Sequence, residues 1–140
     1  MNTPISISFC ESARVAAGRR HHIMFNGDCA DLVYKLRAYF AWKNGLPFNY
    51  VTSVFARGGG NIRESRGGNR VAGRRDIVGG EDALAVLADI RSAVTSATFR
   101  VGPDADENPL TDLYSVKFQP GAIRPGTAIY DVNGHVALVY

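Results

Sequence analysis

Apolar side chains at Leu32, Val33, Leu36, Tyr39 and Phe40 recur at i, i+1, i+4, i+7 and i+8, which gathers them on one stripe of a helix. Asp28 suits the N-cap of that helix, and Asp31 three residues on suits a capping box and complements the dipole. Gly45, as a left-handed C′ residue, and Pro47 just beyond predict where it stops. A second helix is predicted after Gly79-Gly80: Glu81 and Asp82 supply its acidic first turn, and Leu84, Leu87 and Ile90, with Val86 alongside, mark its buried stripe. Thr98–Val101, the alternating Tyr114–Phe118 and Thr127–Tyr130 read as strands. Asp131–Gly134 reads as a hairpin connection whose Asn-Gly pair favours a type I′ turn. The apolar run His135–Tyr140 predicts a strand buried on both faces or nearly so, with its histidine at the mouth. A helix, a loop, a second helix and then antiparallel strands make an α+β domain spanning residues 1–140.

Residues 57–80 break the pattern. They are rich in glycine, strongly basic and without apolar periodicity, so a flexible loop is expected there. Six arginines, Arg57, Arg63, Arg66, Arg70, Arg74 and Arg75, crowd into it. Arginine and glycine together suit RNA, and the pI of 9.1 permits it, but the loop has no aromatic residues on which bases could stack; the net charge of +3 is too small to decide. The alternatives are a solvated loop or a substrate-groove wall in which Arg57, Arg63, Arg66 and Arg70 meet anionic groups. Asp104–Asp112 reads as an acidic surface loop.

A hydrophobic content of 46% with 21% charged residues is ordinary for one globular domain. No apolar run approaches the ~20 residues of a membrane span, and Met1–Cys10 lacks the charged and apolar regions of a signal peptide.

The candidate chemistry rests on Cys29 and His135. Cys29 falls in the first turn of the first helix, where partial positive charge and unsatisfied N–H groups stabilise a thiolate. It is therefore either a nucleophile or a small buried hydrophobe. His135 opens the last strand and is either a base or a turn-flanking, solvated side chain. His21 and His22 are weaker candidates, since neighbours in a strand point to opposite faces. Cys10, Cys29 and the three histidines show no metal-binding spacing, so no metal or other cofactor is expected. Both cysteines are read as free thiols, because a nucleophile cannot be held in a disulfide.

Asp28-Cys29 with Leu32-Val33, then Pro125-Gly126-Thr127, then Gly134-His135-Val136-Ala137 resemble the papain-like cell-wall hydrolases of the NlpC and CHAP type. In those families an Asp-Cys pair opens a helix, and a later Pro-Gly strand leads through a tight turn to a Gly-His-Val strand. The chain departs from the pattern at Ala30-Asp31, where Ser-Gly is usual, and at Thr127, where an acid is common. The resemblance implies Cys29 as nucleophile, His135 as general base, and amides at the helix start, around Asp28, Cys29 and Ala30, as oxyanion donors. It implies a papain-like fold, with the cysteine helix packed on an antiparallel sheet that carries the histidine. The implied activity is thiol-dependent amide hydrolysis, with peptidoglycan peptides as substrate and a periplasmic or secreted location if that substrate is right. The family takes a third polar residue from the strand after the histidine strand, so the domain is expected to continue past Tyr140. The alternatives are a silent binding module with the same fold and a thiol acyltransferase or deamidase using the same pair.

Overall fold

A computed structural model describes residues 27–101, 111–117 and 119–140. Cys10, His21, His22, most of the acidic loop and Phe118 lie outside the described residues. The order of elements is α1 (Cys29–Lys43), β1 (Phe48–Ala56), β2 (Asn69–Ile77), α2 (Ala83–Ala93), a 3₁₀ turn (Ser96–Phe99), β3 (Ala128–Asp131) and β4 (His135–Leu138). Among the described residues the architecture is α+β, with two helices and two separate antiparallel hairpins, β1-β2 and β3-β4. No helix among the described residues is long and apolar enough to cross a membrane.

The first helix begins where its cap predicts. The Asp28 carboxylate accepts from the Ala30 and Asp31 amides at 2.9 and 3.0 Å, and the chain leaves at Asn44, followed by Gly45 at φ 63°. Asp31 does not close a capping box. Its carboxylate turns to Lys35 Nζ at 3.1 Å, one turn on, in a fully buried ion pair. The burial is also broader than one stripe: Ala30, Tyr34, Leu36, Ala38 and Ala41 are buried, while Leu32, Val33, Tyr39 and Phe40 are only half-buried. A helix packed on several sides hides its small and amphipathic residues too, which a single apolar stripe does not foretell.

The loop expected over 57–80 is corrected over residues 69–77, while residues 57–68 and 78–80 have no regular structure. Asn69–Ile77 is β2, paired antiparallel with β1 from Phe48 opposite Ile77 to Ala56 opposite Asn69. The register shifts around Ser53, where Gly73 lies opposite; a Cβ on Gly73 would stand 2.8 Å from the Ser53 hydroxyl. Glycine at that point lets the bulged strand approach. Arginines hid the strand because two of them are partnered: Arg74 Nη2 meets Asp112 at 2.6 Å, and Arg75 bridges Glu81, at 2.5 Å, and Asp89.

Helix α2 starts at the Asp82 cap, whose side chain accepts from the Ala85 amide at 2.8 Å, and buries Val86 and Ile90. Thr98–Val101 is not a strand; a 3₁₀ turn occupies Ser96–Phe99, and Val101 makes one isolated parallel bridge to Asn69. Residues 114–117 have no regular structure. The core joins Ala30, Tyr34 and Ala38 of α1 to Tyr50, Val86, Ile90, Val94, Phe99 and Val136, with Cys29 packed against it. Strand β4 therefore enters the core through one residue. Val136 is buried while His135 and Ala137 are exposed, so the strand is covered on one face rather than both.

Candidate active site

Two local rules place the candidate pair. The Asp28 cap fixes Cys29 as the first residue of α1, where the sulfur is half-buried. A three-residue connection, Val132-Asn133-Gly134, turns β3 back so that Asp131 pairs with His135. The turn is not type I′. Asn133 has no positive φ, and Gly134 alone sits in the left-handed region, at φ 95°. That is the three-residue hairpin in which a left-handed glycine closes an ordinary turn, here with the Gly134 amide donating to Asp131 O at 2.8 Å.

The two segments meet through backbone and sulfur. The Val136 N–H donates to Cys29 Sγ at 3.4 Å. The His135 Cα lies about 2.4 Å from that nitrogen, so it falls within about 6 Å of the sulfur. The imidazole is exposed and makes no hydrogen bond among the described residues. Asp131, its cross-strand neighbour and also exposed, accepts from the Asn133 amide and side chain at 3.0 and 3.1 Å.

The helix-start donors divide unequally. Ala30 N–H and Asp31 N–H are committed to the Asp28 carboxylate, and Leu32 N–H to Asp28 O at 3.3 Å. The Cys29 amide is the helix-start N–H left without a partner among the described residues. The expectation that Ala30 helps hold an oxyanion is thus corrected, because its amide is already used by the cap.

A buried carboxylate stands close by. Asp31 Oδ1 is buried with no hydrogen-bond partner among the described residues, and it lies so near Gly27 that a Cβ there would overlap the carboxylate. Gly27 thereby lets the chain pass over Asp31 into the Cys29 turn.

The expected groove arginines are sorted by their surroundings. Arg57 is half-buried; Arg63, Arg66 and Arg70 are exposed, and none of these three meets a carboxylate among the described residues. No group of three or more histidine, cysteine or acidic side chains among the described residues could hold a metal ion. Asp112, expected on the surface, instead has a buried side chain that accepts from the Val51 amide at 2.8 Å and faces Arg74 and Arg37. A concavity of about 420 Å³ lies elsewhere, lined by Tyr39, Trp42, Leu46, Phe48, Val78 and Leu87 among others. Tyr39 is ten positions after Cys29, about 15 Å along α1, so this hollow is not the setting of the thiol.

Sequence reasoning missed the Val136 amide, whose contact with the sulfur joins β4 to the start of α1 and leaves no signal in either segment alone. Comparison with family models, with curated proteins and with solved structures gives no match.

Proposed function

We propose that the chain is a papain-like thiol hydrolase domain of the NlpC and CHAP kind, cleaving an amide bond in peptidoglycan peptides. The observation that carries this reading is the Val136 N–H on Cys29 Sγ, which sets the mouth of the histidine strand beside a thiol at a helix start. A half-buried cysteine with a histidine one residue from its hydrogen-bond donor has the parts of a nucleophile and its base. The reading requires the exposed imidazole to rotate onto the sulfur from a Cα within about 6 Å.

In the reaction, His135 takes the Cys29 proton and the sulfur bonds to the amide carbon, which becomes tetrahedral. The Cys29 N–H faces the resulting oxyanion and the helix start stabilises its charge. The carbon–nitrogen bond then breaks as His135 returns its proton to the departing amine, leaving a thioester. Water, losing a proton to His135, attacks that thioester; the acid leaves and the thiol is restored.

The test is release of new amine termini from purified muropeptides. Wild-type protein is expected to release them, whereas Cys29→Ala and His135→Ala fall to background, with the double variant no worse than either because the residues act as one unit. Binding of muropeptides by the wild type without release, matched by Cys29→Ala, would replace the hydrolase reading with a binding module.

A further inference from the structure

The arginine-bearing turn between β1 and β2 is fastened to the histidine hairpin, although its glycines would suit a free loop. Asn69, buried at the base of the turn, donates through Nδ2 to Ile62 O at 2.8 Å and to Ala97 O at 2.9 Å. Ser65 is buried too, and its carbonyl accepts from Arg100 Nε at 2.5 Å. The same guanidinium donates through Nη1 to Val132 O at 3.2 Å and to the Tyr130 hydroxyl at 3.3 Å. The 3₁₀ turn closes the remaining side, since a Cβ on Gly134 would stand 3.4 Å from Ser96 Oγ. Residues 62 and 65 are thus tied to 97 and 100, and these in turn to 132 and 134, immediately before His135.

This tethering fixes in space the cations that the turn exposes. Arg63 and Arg66 flank the anchored Ser65, and Arg70 follows Asn69. Glu64, between Arg63 and Ser65, offsets part of this charge, but none of the three arginines forms an ion pair among the described residues, and like charges held together lower stability unless an anion is met there. An arginine fork matches a carboxylate through two parallel hydrogen bonds. Residues 57–68 hold no aromatic side chain on which successive bases could stack, and the exposed Phe55 opposite Arg70 offers a single ring, which favours an acidic peptide over a single-stranded nucleic acid.

We infer that Arg63 and Arg66, with Arg70, form a subsite for carboxylates of a substrate peptide whose backbone runs past the β3-β4 turn to Cys29. This rests on the thiol-hydrolase reading for its substrate, but its test does not require turnover. Tyr130, Val132 and Arg100 serve as the frame, and the exposed guanidinium groups make the contact.

The experiment measures how fast iodoacetamide alkylates Cys29, followed by mass spectrometry at low salt, in the presence of either of two capped hexapeptides. One alternates alanine with glutamate, the other alanine with glutamine. The glutamate peptide is expected to slow alkylation at least threefold, the glutamine peptide to have no effect, and 0.5 M salt to remove the protection. Arg63→Gln with Arg66→Gln, both at exposed positions, is expected to abolish the protection while leaving alkylation without peptide unchanged. Equal protection by both peptides, no protection by either, or protection undiminished in the double variant would overturn the inference. So would stronger, arginine-dependent protection by an oligothymidylate, which would assign the subsite to nucleic acid. If the glutamate peptide protects but muropeptides are never cleaved, the hydrolase reading falls and the anionic subsite stands.

Discussion

The Val136 amide donates to the Cys29 sulfur across 3.4 Å, joining residues 107 positions apart in the chain. Because Val136 also enters the core beside Ala30 and Tyr34, packing fixes the distance between strand and helix start, and the thiol sits in the seam. Sulfur is a weak acceptor, so this contact positions more than it stabilises. Replacing Cys29 by alanine, the best helix former, is therefore expected to change unfolding free energy by less than about 1 kcal/mol. Urea denaturation of the two proteins checks this; a loss above about 3 kcal/mol would return Cys29 to the role of a core residue.

Asp112 matters far more for stability. Its buried carboxylate receives the Val51 N–H at 2.8 Å and faces Arg74 at 2.6 Å and Arg37 at 3.5 Å. Asp112→Ala strands that amide and removes the counter-charge of both arginines. Arg37 and Arg74 remain partly exposed and can rehydrate, so the expected loss is about 2–3 kcal/mol rather than the full cost of an orphaned buried ion. A shift of the urea midpoint at unchanged slope is the signature to look for.

Tyr34 makes the fold sensitive to base. Burial, followed by the negative charge of Asp112, pushes its phenol well above the ordinary tyrosine range. The contribution is fully present below the unfolded value near ~10 and is lost as pH rises above it, because only the unfolded chain then releases the proton. Tyr34→Phe is expected to be neutral or slightly stabilising at pH 7. The advantage of the variant should grow by up to about 1.4 kcal/mol for each pH unit above ~10. Urea midpoints for both proteins from pH 8 to 11.5 measure that difference directly, and a constant difference would contradict it.

How much of this was legible in the sequence varies by element. The start and end of α1 were readable because a capping aspartate and a C-terminal glycine act locally, as they did at Asp82 for α2. Strand β2 was not, since its arginines are carried by Asp112, Glu81 and Asp89, acids brought close by folding. Thr98–Val101 has strand-forming residues, yet the Thr95 cap and the packing of Phe99 edge-on to Tyr34 draw it into a 3₁₀ turn. Cys29 and His135 could each be singled out from local pattern. Their approach is a tertiary fact that depends on Val136 entering the core, and neither segment encodes it alone. The commitment of the Ala30 amide to its cap was foreseeable from Asp28, but its consequence for an oxyanion site required the geometry.

The most direct measurement on the dyad is the rate of Cys29 alkylation by iodoacetamide at pH 6 in wild-type, His135→Ala and Asp28→Ala proteins. Alkylation reads how readily the sulfur acts as a nucleophile when an imidazole beside it can take its proton. The wild type is predicted to react at least tenfold faster than free cysteine, His135→Ala to lose most of that excess, and Asp28→Ala, which removes only the cap, to lose a smaller part. A wild-type rate no greater than that of free cysteine, or one that His135→Ala leaves unchanged, would contradict the claim that Cys29 and His135 work as nucleophile and base.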